Sequence, residues 1–398
     1  MTGVRRAVAR LQEAEWLRRA ETQELLALLD GESGRTRAVG GIVRDTLLGR
    51  PLQRSDIDVA TELVPEEIVA RAEQAGIAVY PTGIEHGTVT LRLGVLAAEV
   101  TTLREDVETD GRRAVVRFGT DWARDAERRD FTLNALYARM DGTLFDPIPG
   151  LEDCLAGRVR FIGEPERRIA EDRLRVYRFF RFSASHGGER HDRPGLAACR
   201  DAAASLGALS AERVGSEYRR MLTLPRIAIT LRTMAEARIL DLAPTTLRQL
   251  YAYERQARRP DLMARLAIIS AQTGAANLQQ AWRLSNHEAD AASDILAAAR
   301  LLQDYRLTEA AYRYPAALTD GIDVAAVLAD WTEAGKSAVV EELRSLAVPQ
   351  FPIRGSDLLD LGFRPDKALG EELQRLERLW LESGFSLDRD SLLRMARA

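Results

Sequence analysis

The sequence predicts an α+β domain, built on a small mixed β-sheet, that is followed by helical domains. Alternating apolar and polar residues over 77–104 indicate a meander of short strands. Residues 38–60 contain a strand end, a glycine turn, a short helix and a second strand. From residue 200 to 345 the pattern is helical throughout, and proline stands mainly at the breaks.

The totals of the chain limit the possible classes of protein. Its 398 residues are too many for one compact core and suffice for about two to four domains. No apolar run approaches ~20 residues, and residues 1–29 lack the apolar core of a signal peptide, so we expect no membrane span. Cys154 and Cys199 are the only cysteines, which indicates a reducing compartment and a cytoplasmic protein.

Charge gives a mixed signal about nucleic-acid binding. The formal net charge of −4 does not favour a polyanionic partner, because non-specific binding relies on positive charge. Locally, however, residues 158–181 are rich in arginine. This stretch is either a basic binding surface or a solvated helix face neutralised by its own acids, and composition leaves both open. The residues concerned are Arg158, Arg160, Arg167, Arg168, Arg173, Arg175, Arg178 and Arg181, with Glu164, Glu166, Glu171 and Asp172.

The first elements lead to the strongest candidate site. Residues 8–30 are predicted to form one packing helix. A strand over 36–40, a helix over 42–49 and a strand over 54–60 follow, and then a short helix ends at Ala75.

Two glycines and two aspartates within this region point to chemistry. Gly40 and Gly41 let backbone N–H groups approach a phosphate, and a helix that starts there adds the positive end of its dipole. Asp56 and Asp58 alternate with apolar residues on the predicted strand, so both carboxylates point to one face. Mg²⁺, which prefers oxygen ligands, would relieve their repulsion. Taken alone, an Asp-x-Asp is more often a solvated strand face or a turn.

The next segments extend the predicted sheet. Strands are expected near 77–80, 87–93 and 96–102. Glu99, on the last of these, is either a third acid facing the metal or a solvent-facing strand residue. Residues 104–124 are polar and are predicted to form a mobile loop, which is either a lid that orders on ligand binding or a plain exposed loop.

Two further blocks carry candidate ligands. Residues 128–137, RRDFTLNALY, offer Arg128 and Arg129, and arginine suits bidentate contact with phosphate. Residues 171–182 are predicted to form one helix, on which Asp172 and Arg175 share a face. Such a pair presents an acceptor and donors to the edge of a base, or it forms a salt bridge within the helix. Arg178 and Arg181 continue the same face.

The remaining motifs are predicted to carry no chemistry. His191 and Asp192 are assigned to a surface loop, because a phosphohydrolase site built on such a pair needs more histidines than the chain's four. The segment after residue 345 contains short helices separated by glycines.

Together these segments resemble the signature of the polymerase-β nucleotidyltransferase superfamily. The order Gly40-Gly41-x-x-Arg44-Asp45 followed by Asp56-x-Asp58 is similar to that of bacterial class II tRNA nucleotidyltransferases, the CCA-adding enzymes, and of poly(A) polymerases. Three later segments extend the resemblance: EVTT from Glu99, RRDFTxNA from Arg128 and EDxxR from Glu171. The turn over 145–153 departs from the family, because Pro149-Gly150 replaces the usual pair of glycines.

The resemblance implies a division into four domains. Residues 1–150 would be the α+β nucleotidyltransferase head, and residues 151–222 an all-α neck that recognises the base. Residues 223–345 would be an all-α body, and residues 346–398 a helical tail that holds RNA.

The resemblance also implies a reaction, the template-independent addition of C, C and A from CTP and ATP to the 3′ end of tRNA, with release of pyrophosphate. Two Mg²⁺ ions would be held by Asp56 and Asp58, with Glu99 as a further catalytic acid. The implied nucleotide ligands are Gly40, Gly41, Arg44, Asp45, Arg128, Arg129, Asp172, Arg175, Arg178 and Arg181.

The alternatives are a poly(A) polymerase acting on RNA 3′ ends, a partial enzyme that adds only CC or only A, and an inactive RNA-binding relative. The expected partners are tRNA, ATP and CTP, and neither a membrane nor a protein partner is implied.

Overall fold

Along the chain, a unit of strands and helices precedes a helical unit. The computed structural model describes residues 2–52, 56–110 and 113–397. The units are Met1–Ala243 and Pro244–Ala398. Residues 54 and 55 of the predicted strand over 54–60 lie outside the described residues. The α+β domain followed by helical domains that the sequence predicts is confirmed.

The first unit combines strands with helices. Its strands are β1 (Thr36–Val39), β2 (Ile57–Thr61), β3 (Ala78–Gly83), β4 (Thr88–Leu93), β5 (Leu96–Thr102), β6 (Arg104–Asp110), β7 (Arg113–Phe118), β8 (Tyr137–Ala138) and β9 (Leu144–Phe145). Its helices are α1 (Thr2–Gln12), α2 (Glu15–Arg18), α3 (Ala20–Leu28), α4 (Gly41–Leu48), α5 (Pro65–Gln74), α6 (Trp122–Glu127), α7 (Leu151–Ala156), α8 (Pro165–Glu171), α9 (Leu174–Gly187), α10 (Arg193–Ala202), α11 (Ala211–Leu222) and α12 (Ala228–Glu236). Short 3₁₀ turns lie at Ile84–His86, Thr132–Asn134 and Ala203–Ala208.

Within the described residues, seven strands form one mixed sheet in the order β3-β4-β5-β2-β1-β8-β9. The pair β2–β5 is parallel and the other pairs are antiparallel. Along β2 the apolar Ile57 and Val59 are buried while Asp58 between them is exposed, as the period of two requires. The sheet therefore presents Asp58 on the face opposite to its packed residues.

An aromatic core supports the end of this sheet. Trp122 and Tyr137 pack edge to face with ring centroids 5.5 Å apart, and Val39, Leu103 and Ile162 join the same buried cluster. This cluster fixes β1 and β8, which flank the glycine turn.

Three predicted elements differ from the observed ones. The single helix predicted over 8–30 is three helices, because Ala14 and Arg19 adopt non-helical ψ angles of 120° and 140°. Residues 104–124 were predicted to be a mobile loop, but β6 and β7 form an antiparallel ladder there. The helix predicted over 171–182 begins only at Leu174.

The second unit is helical. Its helices are α13 (Pro244–Gln256), α14 (Leu262–Thr273), α15 (Ala275–Trp282), α16 (Asn286–Gln303), α17 (Leu307–Arg313), α18 (Leu318–Leu328), α19 (Glu333–Ser345), α20 (Gly355–Asp360), α21 (Lys367–Glu382) and α22 (Arg389–Arg394). Leu358, Leu376, Trp380 and Leu392 form a buried core in its last part. Among the described residues, no helix of either unit is both long and apolar enough to cross a membrane.

Candidate functional site

A cleft of about 580 Å³ in the first unit collects most of the predicted site residues. Its walls come from the glycine turn before α4, from β2, from the segment around Arg129, and from α9. The lining residues are Gly40, Gly41, Arg44, Asp58, Arg128, Arg129, Asp130, Asn134, Asp172, Arg175, Arg178, Arg181, Phe182, Ser185, His186, Arg220 and Leu224.

The glycine turn forms one end of the cleft. Gly40 has a φ of 76°, in the left-handed region that favours glycine, and its N–H donates to the carbonyl oxygen of Leu136. A Cβ atom at Gly40 would lie 3.8 Å from the Asp58 carboxylate. Helix α4 begins at the next residue, Gly41, so its unpaired N–H groups and positive dipole end are directed at this part of the cleft.

Asp58 lines the cleft, and two further acids, Asp56 and Glu99, interact with its charge but are absent from the described lining. Asp58 of β2 is the register partner of Glu99 on β5, and in a parallel pair their side chains stand on the same face. Although part of the Asp58 side chain is exposed, desolvation by the surrounding protein raises its pKa. The negative charge of Asp56 raises the pKa further, while Arg129 and Arg44 oppose the shift. Burial and the charge of Asp58 raise the pKa of Glu99 in the same way. The fold thus places carboxylates where their charges are poorly compensated.

This donor set fits a hard cation. Carboxylate oxygens are the ligands that Mg²⁺ prefers, and a bound cation would offset the repulsion that raises both pKa values. Within the described residues, no three His, Cys, Asp or Glu side chains form a ready-made metal site. The hypothesis of a metal site concerns the carboxylates of Asp56 and Asp58, and Glu99 is the neighbour of Asp58 on the next strand.

Arg44 reaches the cleft from the first turn of α4 and is held on both sides. Its Nε and Nη2 donate to the two carboxylate oxygens of Asp45 at 2.9 and 3.0 Å. Its Nη1 donates to the Oδ1 of Asn134 at 2.6 Å. Asp45 was predicted to bind the nucleotide, but it is absent from the described cleft lining and instead holds Arg44.

A buried acid that the sequence analysis did not single out holds Arg128 and Arg129. Asp125 of α6 pairs with Arg128 through Oδ1 at 2.6 Å and with Arg129 through Oδ2 at 3.2 Å. Burial alone would raise the pKa of Asp125, but the charges of Arg129 and Arg128 outweigh it and lower the pKa. The spacing of three and four residues on a helical turn is the signal that could have revealed this acid.

Asp172 and Arg175 both line the cleft but do not share a helix. Asp172 is extended, with φ −148° and ψ 106°, and ends α8. Its carboxylate accepts from the backbone N–H of Leu174 at 3.0 Å and from Arg213 at 2.7 Å. Capping of the next helix thus replaces the predicted continuous turn. Arg175 pairs with Glu171 at 2.6 Å, so each member of the predicted pair has its own partner.

Arg178 and Arg181, on α9, are also held by acids. Arg178 pairs with the buried Asp130 at 2.5 Å, and Arg181 pairs with the buried Glu217 of α11 at 2.5 Å. Asp130 directly follows Arg129 in the sequence, which is a usable signal. Glu217 lies 36 residues from Arg181, and no local pattern points to it.

The arginine-rich stretch over residues 158–181 is therefore neither wholly a basic binding surface nor wholly a helix face neutralised by its own acids. Glu171 pairs with Arg167, Arg168 and Arg175, as the salt-bridge interpretation expects. The buried Asp153 instead pairs with Arg158 and Arg160 from outside the stretch. These last two arginines are absent from the described lining of the cleft.

Two other motif residues are placed by packing. Gly150 is required because a Cβ atom there would lie 2.2 Å from the carbonyl oxygen of Thr132. His191, predicted to lie in a surface loop, packs against Phe179 and Phe180 with ring centroids 6.0 and 5.3 Å apart, and burial lowers its pKa to about 4. Both residues lie in the irregular segment before α10, as predicted, but His191 is half-buried against these rings, and Asp192 caps α10.

A family model and several known relatives match this chain, and they agree on the kind of protein it resembles. A family model described as the poly A polymerase head domain matches residues 36–160. The mitochondrial CCA tRNA nucleotidyltransferase 1 of Danio rerio is 34% identical over 374 residues, which cover 90% of this chain and 86% of the relative. The CCA-adding enzyme of Lacticaseibacillus paracasei is 32% identical over 350 residues, which cover 85% of this chain and 86% of the relative.

A solved structure is similar over most of the chain. The crystal structure of the Bacillus stearothermophilus CCA-adding enzyme in complex with CTP aligns with a TM-score of 0.72 and 29% sequence identity. The alignment covers 92% of this chain and 94% of that chain.

Proposed function

The chain belongs to the family of CCA-adding enzymes, the tRNA nucleotidyltransferases, and from this premise we propose how its cleft performs the reaction. The resemblance read from the sequence motifs is confirmed. The protein transfers nucleotides from CTP and ATP to the 3′ end of tRNA without a template, adds C, C and A, and releases pyrophosphate. The observation that carries the site assignment is the meeting of Asp58, the glycine turn and the α9 arginines in one cleft.

Asp56 and Asp58 hold two Mg²⁺ ions in this proposal, and Glu99 supports them from β5. Ions held there would supply positive charge, which would favour ionisation of the attacking 3′-hydroxyl and offset the charge of the leaving pyrophosphate. The chain's own contribution is to hold the carboxylates on one face of β2 and β5, where their raised pKa values reflect uncompensated negative charge.

The triphosphate lies against the glycine turn and three arginines. Gly40 and Gly41 permit close approach of backbone N–H groups, and the start of α4 adds a positive dipole end. Arg44, Arg128 and Arg129 line the cleft, and their guanidinium groups suit phosphate oxygens. Because acids already fix their geometry, little side-chain entropy is lost when the nucleotide binds.

The base is selected by protein groups, because no template strand is present. Asp172 offers an acceptor and Arg175 offers donors in the cleft lining, and Arg178 and Arg181 of α9 line the same cleft. One good bidentate contact to a base is worth ~1–3 kcal/mol, which is enough to prefer C or A over U and G.

The four-part division also stays a proposal. Residues 1–150 act as the nucleotidyltransferase head and residues 151–222 as the neck that recognises the base. Residues 223–345 form the body, and residues 346–398 form the tail that holds the RNA backbone. The α9 arginines in the cleft support the role given to the neck.

A reducing compartment such as the cytoplasm is proposed as the location, because Cys154 and Cys199 are both free and buried. Detection of the protein by antibody in fractionated cells tests this. Recovery only from an oxidising compartment would contradict it.

The decisive experiment incubates the protein with tRNA lacking its CCA end, Mg²⁺ and each nucleoside triphosphate separately and in pairs. Incorporation of two C residues followed by one A supports the proposal. Long A tracts on any RNA would instead indicate a poly(A) polymerase, and addition of only CC or only A would indicate a partial enzyme. No incorporation with any nucleotide would indicate an inactive RNA-binding relative.

A further inference from the structure

His186 lies near the end of α9, two turns after Arg178, and no motif of the sequence analysis includes it. Its side chain is 9% exposed, and it lines the cleft beside Ser185. Its ring packs against Phe182, with centroids 5.6 Å apart. Its Nε2 lies 3.1 Å from the Oδ1 of Asp45, on α4. A helix of the proposed neck is thus bonded to the helix that starts at the glycine turn.

Asp45 is shared between His186 and Arg44. The same Oδ1 atom accepts from the Arg44 Nε at 2.9 Å, while Oδ2 accepts from Nη2 at 3.0 Å. The Arg44 side chain is only 8% exposed, so its orientation is set by these contacts more than by solvent. Any rotation of the Asp45 carboxylate therefore moves the guanidinium.

The contacts continue from Arg44 and return to α9. Arg44 donates to Asn134, Asn134 donates to Asp130 at 3.0 Å, and Asp130 accepts from the Arg178 Nε at 2.7 Å. We call this the α9 ring. Its members in order are His186, Asp45, Arg44, Asn134, Asp130 and Arg178. The aromatic side chain of Phe182 lies beside two of these members, with its ring centroid 5.2 Å from the Arg44 guanidinium and 5.4 Å from that of Arg178.

The protonation of His186 follows from its partners. Burial would raise the pKa of Asp45, but hydrogen bonds from His186 and Arg44 outweigh this and lower it to about 2, so the carboxylate only accepts. Burial lowers the pKa of His186 to about 4, so at neutral pH the ring is neutral and its single proton is on Nε2. The Nδ1 atom then accepts from the Ser185 hydroxyl at 2.7 Å. The Asp45 carboxylate therefore selects the tautomer, and the Ser185 hydroxyl is compatible with it.

We propose that His186 is a positioning residue for nucleotide binding, which holds Asp45 and thereby fixes Arg44 toward the triphosphate of CTP or ATP. The inference rests on the proposed function, since Arg44 is a triphosphate ligand only if the cleft binds a nucleotide. The helix that carries the base-reading arginines therefore also sets the triphosphate end of the same site.

Two substitutions at His186 separate the effect of its hydrogen bond to Asp45 from the effect of its packing against Phe182. His186→Phe keeps a ring against Phe182 and removes the hydrogen bond, whereas His186→Gln keeps an N–H donor at the Nε2 position. Isothermal titration with a non-hydrolysable CTP analogue and Mg²⁺ should give a dissociation constant about tenfold higher for His186→Phe, from the loss of one hydrogen bond to a charged group. His186→Gln should restore most of the affinity.

The matched control is His191→Phe. His191 also packs on α9 aromatic residues, and its buried Nε2 has no hydrogen-bond partner in the described part of the chain. The same exchange there should leave the dissociation constant unchanged. Urea unfolding of all variants is measured in parallel, because a purely structural role would lower stability without changing the affinity of the folded protein.

A double-mutant cycle tests the route through Arg44. In an Arg44→Ala background, His186→Phe should raise the dissociation constant no further. An unchanged affinity in the single variant, or full additivity with Arg44→Ala, would overturn the inference. If the unaltered protein binds the analogue but extends no tRNA, the proposed function fails instead, and the titration still judges the role of His186.

Discussion

The two sides of the cleft balance their charges in opposite ways. On the strand side, Asp58 and Glu99 stand in register on neighbouring strands. Desolvation raises both pKa values, and a neighbouring negative charge adds to it, that of Asp56 for Asp58 and that of Asp58 for Glu99. On the α9 side, Arg178 and Arg181 each lie against a buried carboxylate at 2.5 Å. The carboxylates of the strand side thus have like charges as neighbours, whereas each of these arginines has an acidic partner.

The difference shows which side is organised before a ligand binds. A paired arginine has its orientation set by the protein, so it can contact a phosphate or a base with little further ordering. Clustered carboxylates destabilise the folded chain until a cation binds, and this cost is a mark of a functional site. The comparison therefore predicts that substitutions on the two sides affect different quantities.

The largest effect is expected on the acidic side. Asp58→Asn should reduce nucleotide incorporation about 10³-fold, because loss of metal-based charge stabilisation is worth several kcal/mol. Incorporation into truncated tRNA under single-turnover conditions measures this. Glu99→Gln is the comparison variant, and it should lose less activity. Substantial incorporation by Asp58→Asn would contradict the metal assignment.

Asp58→Asn also tests whether the ionised Asp58 carboxylate destabilises the folded chain. Because the pKa of Asp58 is raised, the folded chain holds that proton more tightly than the unfolded chain does, so ionisation destabilises the fold. The stability of the unaltered protein relative to Asp58→Asn should therefore fall as pH rises from the ordinary aspartate pKa through the raised one. Urea unfolding without Mg²⁺ at acidic and neutral pH measures it. Equal stability of both proteins at every pH would show that the ionised Asp58 carboxylate does not destabilise the fold. The two sides of the cleft would then not differ in how their charges are compensated.

The next largest effect is expected from the acid that holds two arginines. Asp125→Asn leaves Arg128 and Arg129 without their buried counter-charge and should lower the free energy of unfolding by about 3 kcal/mol. The pKa of Asp125 is lowered in the folded chain, so its stabilisation is present above the ordinary aspartate pKa and is lost as pH falls through the lowered value. Urea unfolding across that acidic range tests both statements.

Glu127→Gln is the matched control on the same helix, because Glu127 is exposed. It should change stability much less than Asp125→Asn. If the two amide variants were equally stable, the arginines on this side would not depend on their carboxylate partner.

Local signals were sufficient for the acidic side. The strand, glycine turn, helix and strand around Gly40 and Asp58 follow from the alternation and the glycine pair, and the structure contains them at nearly the predicted positions. The register that places Glu99 beside Asp58 needed the parallel pairing of β2 with β5, which a strand prediction alone does not provide.

The paired side depends on contacts that are distant in sequence. The break between α8 and α9 was missed because Asp172 reads as a helical residue, although its carboxylate caps Leu174 and is held by Arg213, 41 residues away. Glu217 and His186 reach their partners across 36 and 141 residues, so no local period could reveal them. Tertiary packing outweighed helix propensity at these positions.

A smaller effect is expected on base selection. Replacing both Asp172 and Arg175 by alanine should narrow the preference for CTP and ATP over UTP and GTP by about 10- to 100-fold, as the loss of ~1–3 kcal/mol per bidentate contact predicts. The ratio of kcat/KM values for the four nucleotides measures it. Asp172→Asn, which keeps an acceptor and the helix cap, should retain more discrimination. Unchanged discrimination in the double variant would place base reading elsewhere.

The smallest effect is expected where a pair is exposed. Arg167 and Arg168 both pair with Glu171. The Arg167 side chain is 77% exposed and lies 3.7 Å from the Glu171 carboxylate. The Arg168 side chain is 9% exposed, lies 2.6 Å from that carboxylate and also donates to the Arg129 carbonyl oxygen. Solvent screening limits an exposed pair, so Arg167→Ala should cost about 0.5 kcal/mol of unfolding free energy or less and leave incorporation unchanged. Arg168→Ala should cost several times more, because it leaves part of the Glu171 charge and a backbone carbonyl without their partner. Urea unfolding of the two variants compares them directly. Equal losses would mean that neither burial nor the second hydrogen bond of Arg168 decides which arginines of this stretch stabilise the fold, although the two share one carboxylate.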